Sequence, residues 1–99
     1  MGFKQVKSKL LQALSSGAFL HEARGSIDEK NRLCTGDIST EELIGIVKRC
    51  NGTHHAMSAH HHVAGIMVHV LKRDGWYIKF YFIDPETFFI SVHLSEPGA

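Results

Sequence analysis

Hydrophobic positions in this chain follow a helical period in the first half and a period of two in the second. Phe3, Val6, Leu10, Leu11 and Leu14 recur at helical spacing, while Lys4, Lys7 and Lys9 lie largely off that stripe. The pattern predicts an amphipathic helix over residues 3–15. Ser15-Ser16-Gly17 ends it, with Gly17 free to take the left-handed C-terminal position. A second helix begins at Ser39-Thr40-Glu41-Glu42, the pattern of a capping box in which Ser39 and Glu42 satisfy each other's backbone amides. Leu43, Ile46, Val47 and Cys50 form its buried stripe, Lys48 and Arg49 suit its negative end, and Asn51-Gly52 stops it. Between the two helices, residues 18–37 place Phe19, Leu20, Ile27 and Leu33 at no sustained period. With Gly25 and Gly36 as punctuation, the segment reads mostly as loop, with a short strand or helical turn near Phe19.

From Ile66 onward apolar residues alternate. Ile66, Val68 and Val70 form one run; Trp76, Ile78, Phe80 and Phe82 a second; Phe88, Ile90, Val92 and Leu94 a third. Asp74-Gly75 and Asp84-Pro85-Glu86 separate them, which predicts a three-stranded antiparallel meander with one apolar and one mixed face. The expected fold class is α+β: two N-terminal helices packed on a C-terminal antiparallel sheet of three or slightly more strands, as a single domain over residues 1–99. Opposed residues must share a face. A two-residue Asp74-Gly75 turn would pair Leu71 with Ile78 and draw His69 onto the core face. A three-residue Arg73-Asp74-Gly75 loop pairs Val70 with Ile78 and His69 with Lys79, and is the register expected here. A three-residue loop at Asp84-Pro85-Glu86 then sets Phe82 against Phe88, Lys79 against Ser91 and Tyr77 against His93.

In that register the mixed face carries His69, Lys79 and Ser91 in one row, Tyr77 and His93 in the next, and Tyr81 and Phe89 beyond. Such a surface suits phosphate chemistry. A histidine moves a proton near neutral pH, a lysine stabilises charge on a phosphorane oxygen, and tyrosines stack on unpaired bases. Together they supply what cleavage of RNA through its own 2′-hydroxyl needs, without a metal or other cofactor. The same face also suits simple packing under the helices, with His69 hydrogen-bonded and the tyrosines buried; Lys79 fits that role least, because a buried lysine needs a partner. His21 and Arg24, in His21-Glu22-Ala23-Arg24, offer a second acid–base group and a bidentate phosphate grip, or a solvated turn with a local ion pair.

Composition narrows the partners. Lys plus Arg is 11 against 10 for Asp plus Glu, a formal charge of +1, so any nucleic-acid site is a local patch. The hydrophobic fraction of 43% is that of a folded domain. No apolar run approaches the roughly 18 residues of a membrane span. Cys34 and Cys50 form no CxxC pair and read as small hydrophobes, and a reduced, cytoplasmic setting is expected. The tail Glu96-Pro97-Gly98-Ala99 reads as a frayed end. There are eight histidines, and five of them cluster in "HHAMSAHHH". His60 and His62 share one side of an extended chain, where they could touch phosphate, lie idle, or ligate metal with His54, His55 or Cys50. The spacing matches no established zinc pattern. His54 and His55 read as surface residues that cap carbonyls.

The order of elements, the capped "GDISTEELIGIVKRCNG" and the closing "GWYIKFYFIDPETFFISVHLSE" together resemble small bacterial toxin ribonucleases of the RelE and MqsR type, a group with barnase- and EndoU-like sheets. "YIKFYF…FFISVH" is similar to the paired C-terminal strands of MqsR-like toxins. "HEAR…DISTEELI" is similar to a related toxin-like family in which a His/Arg segment precedes an Ile-Ser-x-Glu-Glu helix. The resemblance spans about residues 3–94 in element order and matches in detail only over short strings. It implies metal-independent cleavage of RNA, often mRNA, and neutralisation by an antitoxin protein. Catalysis is then expected of His69, Lys79, His93, Tyr81 and His21, and RNA binding of Arg24, His60, His62 and Tyr77. A non-catalytic RNA- or protein-binding module and a histidine-ligated metal protein are the competing expectations.

Overall fold

The computed structural model of the protein describes residues 2–22 and 30–94. Helix α1 (Phe3–Ser16) leads into strand β1 (Phe19–His21). A single helical turn α2 (Arg32–Thr35) and helix α3 (Thr40–Arg49) follow. After a 3-10 turn (Gly52–His54) come β2 (His55–Ala59), β3 (Met67–Arg73), β4 (Trp76–Ile83) and β5 (Glu86–Leu94). The five strands form one mixed sheet in the order β1-β5-β4-β3-β2. Among the described strand pairs, β1–β5 is parallel and the other three are antiparallel. The fold is α+β as expected; among the described residues the sheet has five strands where three or slightly more were expected, and there are three α-helical segments where two were expected. Arg24, Gly25, Ile27 and the Glu96–Ala99 tail lie outside the described residues.

The helices form for the reasons their sequences carry. Gly17 takes the left-handed conformation at φ 76° and closes α1 through its amide to the Ala13 carbonyl. Both halves of the Ser39/Glu42 capping box are made, at 3.1 Å each. Removing such a cap costs about 1 kcal/mol. At the other end of α3, Lys7 of α1 donates to the Lys48 and Cys50 carbonyls at 2.8 and 2.9 Å. A cation thus satisfies the helix's orphan acceptors where its dipole is negative. Between the helices and one sheet face lies a continuous core of Val6, Leu10, Leu14, Leu43, Ile46 and Val47 against Leu71, Ile78, Phe80, Phe89 and Val92. Phe80 and Phe89 are its largest fully buried side chains. The opposite face carries a separate, smaller cluster of Val68, Tyr81 and Ile90, flanked by Ile66 and Phe88.

The β3–β4 register is not the expected one. Arg73 opposes Trp76, so the turn is the two-residue Asp74-Gly75. Leu71 faces Ile78, Val70 faces Lys79, and His69 faces Phe80 rather than Lys79. The cause is local. Asp74 and Gly75 both adopt positive φ, at 55° and 80°, the conformation of a type I′ turn whose twist matches the strands it joins. Aspartate tolerates this region better than most residues. Its carboxylate is also held: Arg49 Nε donates to Asp74 Oδ2 at 2.8 Å, Arg49 Nη2 donates to the same oxygen, and Arg73 Nε lies 3.3 Å from Asp74 Oδ1. These contacts, the Arg49 hydrogen bond foremost, keep the Asp74 carboxyl below its ordinary range.

The second hairpin also turns on two residues, Asp84-Pro85, with Ile83 opposite Glu86 and Tyr81 opposite Phe88 instead of Phe89. A bulge between Lys79 and Phe80 then restores the expected pairs Lys79–Ser91 and Tyr77–His93. Its extra residue lets Phe89 and Val92 both reach the core while Ile90 joins the opposite face. Gly75→Ala forces a Cβ into the left-handed region and is expected to cost about 1–2 kcal/mol. In a 99-residue chain that lowers the melting temperature by roughly 4–8 °C per kcal/mol, which a thermal melt followed by circular dichroism measures.

Candidate active site on the outer sheet face

The turn at Asp74-Gly75 sorts the histidines between the two faces. His69 lies on the helix side, 4% exposed. Its ring stacks on Phe80 at 5.5 Å, lies beside Phe82, and lies over that of His55 at 5.2 Å. Its Nδ1 shares a hydrogen bond of 3.0 Å with His55 Nε2. His69 is therefore not part of a row with Lys79. His21 is also on the inner side. Its ring packs against Phe19 and Phe89, and its Nδ1 accepts a 2.9 Å hydrogen bond from the side-chain amide of the fully buried Asn31. Burial lowers the His21 pKa. Both residues were expected to be catalytic, and both are built into the packing instead.

Six expected site residues do lie on or over the outer face: Lys79, Tyr81, Tyr77 and His93 on the strands, and His60 and His62 in the connection between β2 and β3. One row reads Lys72, Tyr77, His93 across β3, β4 and β5. The Lys72 ammonium sits 5.6 Å from the centre of the Tyr77 ring, and the Tyr77 and His93 rings stack at 5.0 Å and 16°. His93 Nδ1 donates to the Leu94 carbonyl at 2.9 Å. A carbonyl only accepts, so in the neutral ring the proton is on Nδ1 and Nε2 keeps its lone pair. The next row reads Val70, Lys79, Ser91. It lies two residues along the strand, about 7 Å away. Lys79 is half-buried and has no ion pair or hydrogen bond among the described residues.

A third row holds Val68, Tyr81 and Phe88, with Tyr81 and Phe88 stacked at 5.1 Å and 7°. The Tyr81 hydroxyl donates to Glu22 Oε2 at 2.8 Å. His60 meets the Tyr81 ring edge-to-face at 4.8 Å, with its Nε2 at 3.6 Å from the same carboxylate oxygen. Tyr81 is 5% exposed, so its hydroxyl serves this network rather than reaching a substrate. His60 Nδ1 accepts from the backbone amides of His62 and Val63 at 3.0 and 3.1 Å, and the His60 amide donates to the Ile66 carbonyl. The imidazole thus fastens its own loop over the sheet. His61, His62 and His60 line a cavity of about 50 Å³ together with Val68, Lys79 and Ile90. Among the described residues no three His, Cys, Asp or Glu side chains converge so as to hold a metal ion.

Glu22 and Lys72 belong to this face and are not among the expected site residues. Both have a signal in the sequence. Strand alternation after Phe19 and His21 sends Glu22 to the opposite side, and the two-residue turn sets Lys72 beside Tyr77. "HHAMSAHHH" is not purely a connecting loop either. His55–Ala59 pairs with β3 as an edge strand whose residues alternate in no detectable way, because its side chains are almost all exposed. Neither His54 nor His55 caps a carbonyl as expected: His54 Nδ1 accepts from the Asn51 amide, and His55 pairs with His69.

No protein-family model, curated protein or solved structure significantly matches the chain. No helix among the described residues is long and apolar enough to cross a membrane.

The inner histidine pair generates a stability prediction. Burial, with His55 beside it, pushes His69 from an ordinary 6.5 down to about 4, and burial lowers His55 as well. The unfolded chain therefore takes up the proton at a higher pH than the folded one. Stability from the neutral pair is complete above pH 6.5 and drains away as pH falls towards 4. A shift of this size corresponds to about 3 kcal/mol. His69→Leu is expected to flatten the dependence of urea-unfolding free energy on pH across that window; an unchanged slope would assign the loss to other groups.

Proposed function

We propose that this protein is a toxin-like endoribonuclease that cuts RNA on the outer sheet face by acid–base chemistry and without a metal. The observation that carries the reading is the pairing of His93 with Lys79 across adjacent rows. One offers an unprotonated Nε2 beside a tyrosine platform, and the other an ammonium with no described counter-charge. In this mechanism an unpaired base stacks along Tyr77, with Lys72 near the backbone. His93 Nε2 takes the proton of the ribose 2′-hydroxyl as that oxygen attacks phosphorus. Lys79 stabilises the charge that grows on the non-bridging oxygens. The bond to the 5′-oxygen breaks, leaving a 2′,3′-cyclic phosphate, and the departing oxygen takes a proton from the Lys79 ammonium. Proton exchange with solvent then restores the neutral imidazole and the ammonium.

Tyr81, Glu22 and His60 hold the floor and roof of this site. His69 and His21 have no part in the reaction. The resemblance of the strand sequences to RelE- and MqsR-type toxins supports RNA as the substrate. With it comes a cognate antitoxin protein as the partner that covers the face, and the cytoplasm as the setting.

Purified protein is expected to cut single-stranded RNA in the presence of EDTA. His93→Ala should slow cutting by about 10²–10⁴-fold, and Lys79→Ala by about 10²–10³-fold, with melting temperatures near that of the parent. Cutting at the parental rate by either variant would sink the assignment. RNA held but left intact by the parent protein would make the face a binding surface instead.

A further inference from the structure

We infer that the apolar cleft at the β2–β3 edge of the inner sheet face binds one soft monovalent metal ion, copper(I), through the Met57 and Met67 sulfurs and His69 Nε2. The inference stands apart from the ribonuclease reading, because the cleft lies on the opposite side of the sheet from Lys79 and His93.

Strand register brings the three side chains together. Met57 lies directly opposite His69 across β2 and β3, and Met67 opposes Ala59 two residues further along. Residues 57, 67 and 69 therefore share the face that carries Phe80 and Phe82. Directly opposed Cβ atoms are about 5 Å apart and diagonal ones about 7–8 Å, a span that flexible thioether arms can close. All three residues line one cleft of about 230 Å³, with Gly65, Ile66 and Phe82 as the rest of its wall. Met57 and Met67 are 53% and 43% exposed, so neither belongs to the core.

His69 supplies an open nitrogen. Its hydrogen bond is made through Nδ1, to His55 Nε2 at 3.0 Å. Its Nε2 has no hydrogen-bond partner among the described residues, and it is not one of the sealed unpartnered nitrogens. Nε2 thus keeps accessible surface on a side chain that lines the cleft. With the shared proton on His69 Nδ1, Nε2 carries a lone pair. His55 is then the acceptor that fixes the tautomer and the ring plane, as an outer partner does for most ligating histidines.

The donor set selects the ion. Two thioethers and one neutral imidazole are soft and uncharged. Thioether sulfur suits copper(I), whereas zinc takes thiolate, imidazole and carboxylate. No acidic side chain lines the cleft to attract a divalent ion. The Lys9 ammonium stands 4.7 Å from the centre of the Phe82 ring and is paired with Asp84 at 3.7 Å. Its remaining field acts on a monovalent ion with half the strength it has on a divalent one.

The experiment is an anaerobic titration of the untagged full chain with copper(I), in competition with a chromophoric copper(I) chelator. Silver(I) serves as the redox-inert probe and zinc(II) as the control. Copper(I) and silver(I) are expected to saturate at one ion per chain and to shift the Met57 and Met67 methyl signals and the His69 Nε2 resonance together in NMR spectra. Zinc(II) is expected to leave all three in place. Met57→Leu and Met67→Leu conserve side-chain volume and should each weaken copper(I) and silver(I) binding by about tenfold or more, with melting temperatures near that of the parent. Parental affinity in both leucine variants would overturn the inference. So would copper(I) held only by the histidine run at residues 60–62, which would leave the methionine methyl signals unmoved, or a zinc(II) response equal to that of silver(I) at Met57, Met67 and His69.

Discussion

The left-handed backbone at Asp74, held by two arginines, is the constraint on which the rest of this structure turns. Side chains on a strand alternate between faces, so a hairpin that closes on two residues and one that closes on three put opposite sets of side chains on the core. Arg49, at the end of α3, reaches the Asp74 carboxylate. The helix layer and the sheet register are therefore fixed by the same contact. One face then receives Leu71, Ile78 and Phe80, and the other receives Lys72, Tyr77 and Lys79.

The cost of this register is a histidine in the core, and the protein meets it with a second histidine. His55 on the edge strand gives His69 a hydrogen-bond partner and a stacking surface, and Phe80 and Phe82 complete the aromatic shell. A neutral imidazole pair of this kind is a satisfied polar core feature above its titration range and a buried charge below it. Crowding of histidines in this sequence thus has three separate physical origins. His55 and His69 pack, His54 and His60 cap backbone amides, and His93 presents a free ring nitrogen on the outer face.

Much of the architecture was legible in the sequence. Both long helices, the capping box at Ser39 and Glu42, the glycine stop at Gly17 and the three long strands follow from periodicity and capping chemistry that act within a few residues. What was not legible depends on distant partners. The choice between two- and three-residue turns rested on the assumption that His69 avoids the core, and nothing near His69 in the sequence announces His55 as its partner. Strand β1 is three residues long and exists because β5 offers it a parallel edge. Strand β2 has no alternating pattern because it buries almost nothing. The bulge at Lys79/Phe80 inverts the expected facing of Phe89 and Ile90 yet restores the pairs Lys79–Ser91 and Tyr77–His93, so those two site pairings came out as expected while the core assignment beside them did not.

Strand β2 sits at the rim of the sheet, bonded on one side only and carrying few buried side chains. Segments of that kind come apart at much lower free energy than the central strands of the same sheet. The loop that roofs the small outer cavity hangs from the end of β2. Partial fraying of one edge strand therefore uncovers the cavity without disturbing Lys79 or His93, which stand on the two strands with the most extensive pairing.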